Sequence, residues 1–186
     1  MIKRFLFLSI VCQIFYANSL FASVYDDDVL EIFSKIMPRF VLMSSQKKNI
    51  QNQMEVCILY DKLDERSAVS LIEKIQNSYP NGIKNYPIKL IKSDYGSIDK
   101  CRKSQLAFMF DSDDSTINNS IRFLNSYSIL TVAYDAKYLG KGVDATLFLG
   151  RKVMPYININ ALQHSGIELD NTLVQISKIY MKGDDK

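Results

Sequence analysis

Met54-Glu55-Val56-Cys57-Ile58-Leu59-Tyr60 decides the fold: the stretch is almost wholly apolar and stops at Asp61. A strand with one wet face alternates apolar and polar residues, whereas a strand covered on both faces reads as a continuous apolar run. The stretch is therefore expected to be a buried strand of a parallel sheet. A parallel neighbour needs a crossover, and residues 63–79 supply one. Ala68, Leu71, Ile72 and Ile75 recur there at helical spacing, and Pro80-Asn81-Gly82 ends the segment.

Outward from that unit the pattern repeats. Residues 87–91 predict a second, shorter strand. Leu106-Ala107-Phe108-Met109-Phe110 predicts a third, again closed by an acidic residue, Asp111. Residues 112–125 predict a helix capped by Asp113, Asp114 or Ser115, with Ile117, Ile121 and Leu124 facing inward. Ile129-Leu130-Thr131-Val132 reads as a fourth strand. Residues 145–149 and 153–157 read as a hairpin around Gly150-Arg151-Lys152. A short helix over 160–165 ends at Gly166, and residues 170–180 are expected to form a last helix with Leu173, Val174, Ile176 and Ile179 on its apolar face. Upstream, Asp26-Asp27-Asp28 caps a helix carrying Val29, Ile32, Phe33, Ile36 and Met37, which Pro38 is expected to kink or restart. Strands alternating with helices predict one α/β domain of three layers, a mostly parallel central sheet with helices on both faces and a C-terminal antiparallel hairpin.

Composition agrees with a single folded domain. The chain has 186 residues, 47% hydrophobic and 23% charged, which excludes a disordered tail or a multi-span membrane protein. A net charge of +3, with no basic run, gives no electrostatic case for nucleic acid. With only 7 Gly, there is little material for phosphate-cradling loops.

The first residues are expected to leave the fold. Lys3 and Arg4 precede an apolar run through Tyr16, and Leu20-Phe21-Ala22 ends on a small residue. This is the order of a cleavable secretory signal over residues 1–22, with cleavage after Ala22 or Ser19 and export to the periplasm. The mature domain is then 23–186, with a core at about 27–181 and a frayed charged tail at 182–186. Removing the leader takes away two positive charges and leaves the domain near neutral. Of 3 Cys, Cys12 departs with the leader. Cys57 and Cys101 remain, and an even count in an oxidising compartment reads as one disulfide, two separately packed thiols being the other reading. The bond would close a loop of about 45 residues, worth roughly 4 kcal/mol by chain entropy.

Few constellations promise chemistry. Asp61 and Asp111 follow strands, where open α/β sheets usually place ligands. With Asp113 and Asp114 they suggest a pocket for a hard cation, but an Asp after a strand more often caps the next turn. No metal or other cofactor is therefore assigned. The single His, His164, has no Ser, Cys or Asp set around it in the sequence, and no catalytic residue is assigned. Tyr134, Tyr138 and Tyr156 cluster around the Gly140–Gly142 loop and suggest either a partner surface or core packing.

The C-terminal third carries the most specific pattern. Ile129-Leu130-Thr131-Val132 leads to Gly140 and Gly142, then the hairpin, Ile157-Asn158-Ile159-Asn160-Ala161, Gly166-Ile167, and a segment with Leu173 and Ile176. This resembles the YfiR/HmsC-like family of small exported bacterial proteins, with their "LTV" strand, Gly-Gly loop, hairpin ending in "F-E-I-N-L" and "A-G-L" before a Leu-rich end. Here Pro155-Tyr156 replaces Phe-Glu and Lys141 splits the glycines. The resemblance spans roughly residues 27–181. It implies a non-enzymatic periplasmic regulator that binds the sensor portion of an inner-membrane diguanylate cyclase and restrains cyclic di-GMP synthesis, and with it exopolysaccharide and biofilm. It also implies a Cys57–Cys101 pair, a turn-forming role for Asn158 at the family's Ile-Asn position, and a possible homodimer. The alternative from the residues themselves is a periplasmic small-ligand-binding module using the acidic and Tyr-rich strand ends.

Overall fold

The computed structural model describes residues 25–181, so the expectations for the leader and for residues 182–186 lie outside the described residues. Seven strands form one sheet: β1 (Met54–Tyr60), β2 (Ile88–Asp94), β3 (Leu106–Met109), β4 (Leu130–Ala133), β5 (Ala145–Leu149), β6 (Val153–Ile157) and β7 (Lys178–Ile179). Their order is β2-β1-β3-β4-β5-β6-β7. All neighbours are parallel except the β5–β6 hairpin, where Leu149 faces Val153 across the Gly150-Arg151-Lys152 turn. Among the described residues five α-helices accompany the sheet: α1 (Asp27–Leu42), α2 (Glu65–Ser78), α3 (Asp114–Ser126), α4 (Ile159–Ser165) and α5 (Asn171–Gln175). The α/β class, the parallel sheet and the late hairpin are as the sequence predicts.

Strand alternation divides the interior into two cores. Val56 and Ile58 of β1, with Leu106 and Phe108 of β3, point to one face, where α1 contributes Phe33, Met37 and Phe40 and α2 contributes Leu71 and Ile75. Cys57 and Leu59, with Ala107 and Met109, point to the other, where α3 supplies Ile117, Ile121 and Leu124. Every residue of β1 except Glu55 is buried, which is why its sequence does not alternate. Each large apolar side chain buried in this way contributes about 1.5–3 kcal/mol.

Edges explain the departures from expectation. β2 extends to Asp94, beyond the predicted 87–91: it is an edge strand whose exposed Lys89 and Lys92, on opposite faces, pair with Glu55 (2.9 Å) and Glu65 (2.7 Å). The predicted helix over 63–79 begins as a 3₁₀ turn, Lys62–Asp64, before α2. Pro38 lies inside α1, which runs unbroken because Phe33 and Met37 before it and Phe40 and Val41 after it enter the same core.

The last helix is a correction. Instead of 170–180, α5 spans only Asn171–Gln175, and the chain re-enters the sheet as β7, pairing Tyr156 with Lys178 and Ile157 with Ile179. The reason is the unpaired edge of β6. Tyr180 N–H donates to Ile157 O at 2.8 Å, satisfying a backbone group that a continued helix would leave open. The β-branched Ile179 suits that conformation better than a helix.

Candidate functional site

The strand order β2-β1-β3 reverses direction between β1 and β3, which creates a crevice at their C-terminal ends. Asp61 follows β1 and Asp111 follows β3 by two residues, so the parallel register brings both to this switch point. Asp61 caps the 3₁₀ turn by accepting from Lys62 N (2.7 Å), while its other oxygen accepts from Ser112 Oγ (3.1 Å). The turn it caps presents Asp64 to the same place.

Two tyrosines organise the carboxylates. Tyr25, just before α1, donates its hydroxyl proton to Asp64 Oδ2 (2.9 Å) and accepts from Asp111 N (2.9 Å). Its ring packs edge-on against Phe110 at 4.6 Å and Tyr134 at 4.7 Å. Tyr138 donates to Asp111 Oδ1, and Lys137 Nζ lies 2.8 Å from the same oxygen.

The electrostatics follow from burial and pairing. Burial, assisted by Asp61 and Asp111, pushes the Asp64 carboxyl up, although the Tyr25 hydrogen bond opposes it. Burial acts in the same direction on Asp111, but the Lys137 ammonium and Tyr138 hydroxyl outweigh it and hold that carboxyl below its ordinary value. The Tyr138 phenol is pushed up to about 12 by burial and by the adjoining carboxylate. The crevice thus offers carboxylate acceptors beside a half-exposed ammonium, a set able to hold a polar group by directed hydrogen bonds.

Asp61, Asp111, Asp113 and Asp114 do not assemble into one acidic pocket, and the capping reading holds for Asp61 and Asp113. Asp113 caps α3, accepting from Ser115 N (2.9 Å) and Thr116 N (3.0 Å), and Asp114 pairs with Lys141. Among the described residues no group of three or more His, Cys, Asp or Glu side chains is arranged to hold a metal ion. Asp64, Tyr25 and Lys137 complete the crevice, yet nothing in the local sequence marks them, since their proximity follows from strand order.

The tyrosine surface needs correction. Tyr138 is 1% exposed and Tyr156 5%, so both rings lie in the interior and offer no open contact area. Only Tyr134 is half-buried, its hydroxyl accepting from Asp26 N at 3.2 Å. His164 is exposed on α4. Cys57 and Cys101 form a disulfide, with Cα atoms 5.5 Å apart, tying the middle of β1 to the segment before β3.

Asn158 is a buried connector. Its Oδ1 accepts from Ala161 N (3.1 Å), capping α4, and its Nδ2 donates to Leu139 O (2.8 Å) in the neighbouring 3₁₀ turn. Replacement by Ala removes both bonds and leaves a buried carbonyl and an amide unpaired, so Asn158→Ala should lower stability by about 2 kcal/mol. Asn158→Asp should cost more at neutral pH, because a carboxylate would then face the Leu139 carbonyl. Denaturant unfolding of the two variants tests this order; an Asp variant as stable as the native chain contradicts it.

A second polar knot lies where β4 and β5 diverge. Their register reduces to Val132 opposite Ala145, and there the Asp144 side chain takes over the ladder. Its Oδ2 accepts from Thr131 N and Thr131 Oγ1, both at 2.8 Å, and its Oδ1 lies 3.2 Å from Ser165 Oγ of α4. The carboxyl is wholly buried, and desolvation raises it to about 6.

Together these features define a doubly wound α/β domain with a polar crevice at the β1/β3 switch point and a sheet extended by a hairpin and a short returning strand. No protein-family model matches the chain, and no curated protein matches its sequence. Solved structures do share the fold. A conserved domain protein from Vibrio cholerae O1 biovar eltor superposes with a TM-score of 0.55 at 15% identity, over 82% of this chain and 59% of that one. An ABC domain in complex with L-Trp from Streptococcus pneumonia gives 0.51 at 10% identity, over 83% and 60%. The chain therefore spans about three-fifths of the length of either structure. At these identities the likeness is one of fold alone.

Proposed function

We propose that the chain is an exported, non-enzymatic regulator that binds the periplasmic portion of an inner-membrane diguanylate cyclase and restrains cyclic di-GMP synthesis. The observation that carries this reading is the closing unit of the sheet. β4, the Gly140–Gly142 turn, the β5–β6 hairpin, the Asn158 cap, the Gly166 turn and the return to β6 are contiguous in space. They are also the residues whose spacing resembles the YfiR/HmsC-like proteins. The Cys57–Cys101 bond supports the extracytoplasmic part of the proposal, because such bonds persist in oxidising compartments.

With Tyr138 and Tyr156 interior, we assign the partner contact to the switch-point end of the sheet. Leu63 projects there from the 3₁₀ turn, 96% exposed, with Asp61 and Asp64 flanking it and the half-exposed Lys137 nearby. An apolar centre within a polar rim is the general anatomy of a protein–protein interface. Deleting the gene should raise cyclic di-GMP, and the purified cyclase portion should bind the native chain but bind Leu63→Asp at least tenfold more weakly. Unchanged cyclic di-GMP in the deletion strain overturns the regulatory reading; equal binding by the variant overturns the surface.

One observation favours a second reading, a small-ligand-binding module. Asp111, Tyr138 and Lys137 occupy the switch point, where open α/β sheets receive ligands. A metabolite that raises the melting temperature of the native chain but not of Lys137→Ala would favour it.

A further inference from the structure

The opposite end of the sheet holds a cleft of about 440 Å³. It opens between residues 45–53, which lead into β1, and residues 102–105, which lead into β3. Its lining is unusual in kind. Gln46, Asn49, Gln51, Asn52, Gln53 and Gln105 all contribute carboxamides, and no aliphatic side chain takes part.

The floor is prearranged. Gln105 is buried; its Oε1 accepts from Glu55 N (2.7 Å), and its Nε2 donates to Asn49 O (3.3 Å) and Lys103 O (3.2 Å). Gln46, also buried, donates from Nε2 to Ser128 O (2.7 Å) and accepts from Asn49 Nδ2 (3.1 Å). These bonds hold the loop against the strand entries. By contrast, the outer amides of Gln51 and Asn52 are exposed, and their side chains make no hydrogen bond among the described residues.

Ser104 lies in the wall, 5% exposed, and its buried Oγ has no hydrogen-bond partner among the described residues, a state that costs free energy. Of the lining charges, Glu55 pairs with Lys89 (2.9 Å) and Arg102 with Asp99 (2.7 Å), while Lys103 is exposed and forms no ion pair among the described residues, which makes the charged control in the test below decisive. Arg102 also stacks over Tyr127, 5.6 Å from the ring centroid, which fixes a 44% exposed aromatic at the rim.

We propose that this cleft binds a neutral polyhydroxylated ligand, a saccharide. A hydroxyl both donates and accepts, and a carboxamide is a neutral side chain that offers a separate donor and acceptor to answer it. An apolar ligand would find little surface to bury here, since most small-molecule pockets are lined by hydrophobic groups and this one is not. The rim Tyr127, held between Arg102 and Phe123 and 44% exposed, offers its open edge to the C–H groups of a sugar. This site is separate from the switch-point crevice, so it stands whether or not the regulatory reading does.

The test is an NMR titration of the full chain with glucose, N-acetylglucosamine and cellobiose, and with glucuronate as the charged control. At least one neutral saccharide should give saturable shifts in the millimolar range or below, centred on Gln51, Asn52, Ser104 and Tyr127. The double variant Gln51→Ala/Asn52→Ala should bind at least about tenfold more weakly with an unchanged melting temperature. Absence of saturable binding by all three neutral sugars, binding by glucuronate alone, or full affinity in the double variant would overturn the proposal.

Discussion

Replacing Cys57 and Cys101 by Ala is expected to lower the unfolding free energy by about 4 kcal/mol, the loop-closure entropy that the bond removes from the unfolded chain. The two residues are separated by 44 positions, and the loop between them contains α2 and the whole of β2. β2 is the outer strand on that side, and most of its residues are only half-buried. Both cysteines are 0% exposed, the Cys57 side chain lying beneath α3. A thiol reductant therefore reaches the bond only when the region opens. At high dithiothreitol the reduction rate should stop rising with reductant and settle at the opening rate. A denaturation midpoint that does not move on removal of the bond, or a reduction rate linear in dithiothreitol throughout, contradicts this account.

Asp144 carries the second large effect. Its carboxyl titrates near 6 in the folded chain because burial penalises the charged form, against a reference value of 3.8. The folded state therefore binds a proton more tightly than the unfolded state does. The resulting stability is fully present below the unfolded value and is lost as pH rises through about 6. By pH 7 the ionised group weighs against folding by on the order of 3 kcal/mol. Asp144→Asn keeps an oxygen for Thr131 N and Oγ1. Its amide can donate to Ser165 Oγ, whose own proton goes to Leu162 O (3.1 Å). The Asn variant should thus be more stable than the native chain at pH 7 and converge with it near pH 4. Asp111 and Asp113 have lowered values and act in the opposite sense, but they are common to both proteins, so the difference isolates Asp144. Asp144→Ala should be destabilised at every pH, because Thr131 N is left buried and unpaired. Urea unfolding from pH 4 to 8 decides the matter; an Asn variant less stable than the native chain at pH 7 would show that the carboxylate is favoured in place.

Local pattern made much of the architecture legible. The unbroken apolar run of β1 and the helical spacing of Leu71 and Ile75 are consequences of packing that leave their mark on adjacent residues. Asp26 and Asp113 likewise cap α1 and α3 through their own next residues, a contact that never depends on the rest of the chain. Where the partner was distant, the reading went astray. Residues 176–180 carry apolar spacing that suits a helix, and only the open edge of β6 turns Lys178 and Ile179 into a strand. The tyrosines near Gly140 are close in sequence, yet the fold buries Tyr138 under its hydrogen bond to Asp111 and buries Tyr156 within the hairpin.

The crevice and the clefts were less legible still. Asp61 and Asp111 were visible as strand-terminal acids, but Asp64, Tyr25 and Lys137 join them only because β1 and β3 are neighbours. Nothing in the local sequence marks Asp144, whose partners Thr131 and Ser165 lie 13 and 21 positions away. The amide cleft joins residues 46–53 to 102–105, two segments that share nothing but the N-terminal ends of adjacent strands. By itself, then, the sequence determined the α/β class, the burial of β1, the principal caps and the cysteines available for a bond, because these rest on periodicity and on neighbours a few residues apart. The tertiary structure decided which acids meet, which tyrosines vanish into the core and where the chain ends its helices, because those outcomes depend on strand order and on backbone groups that seek partners far along the chain.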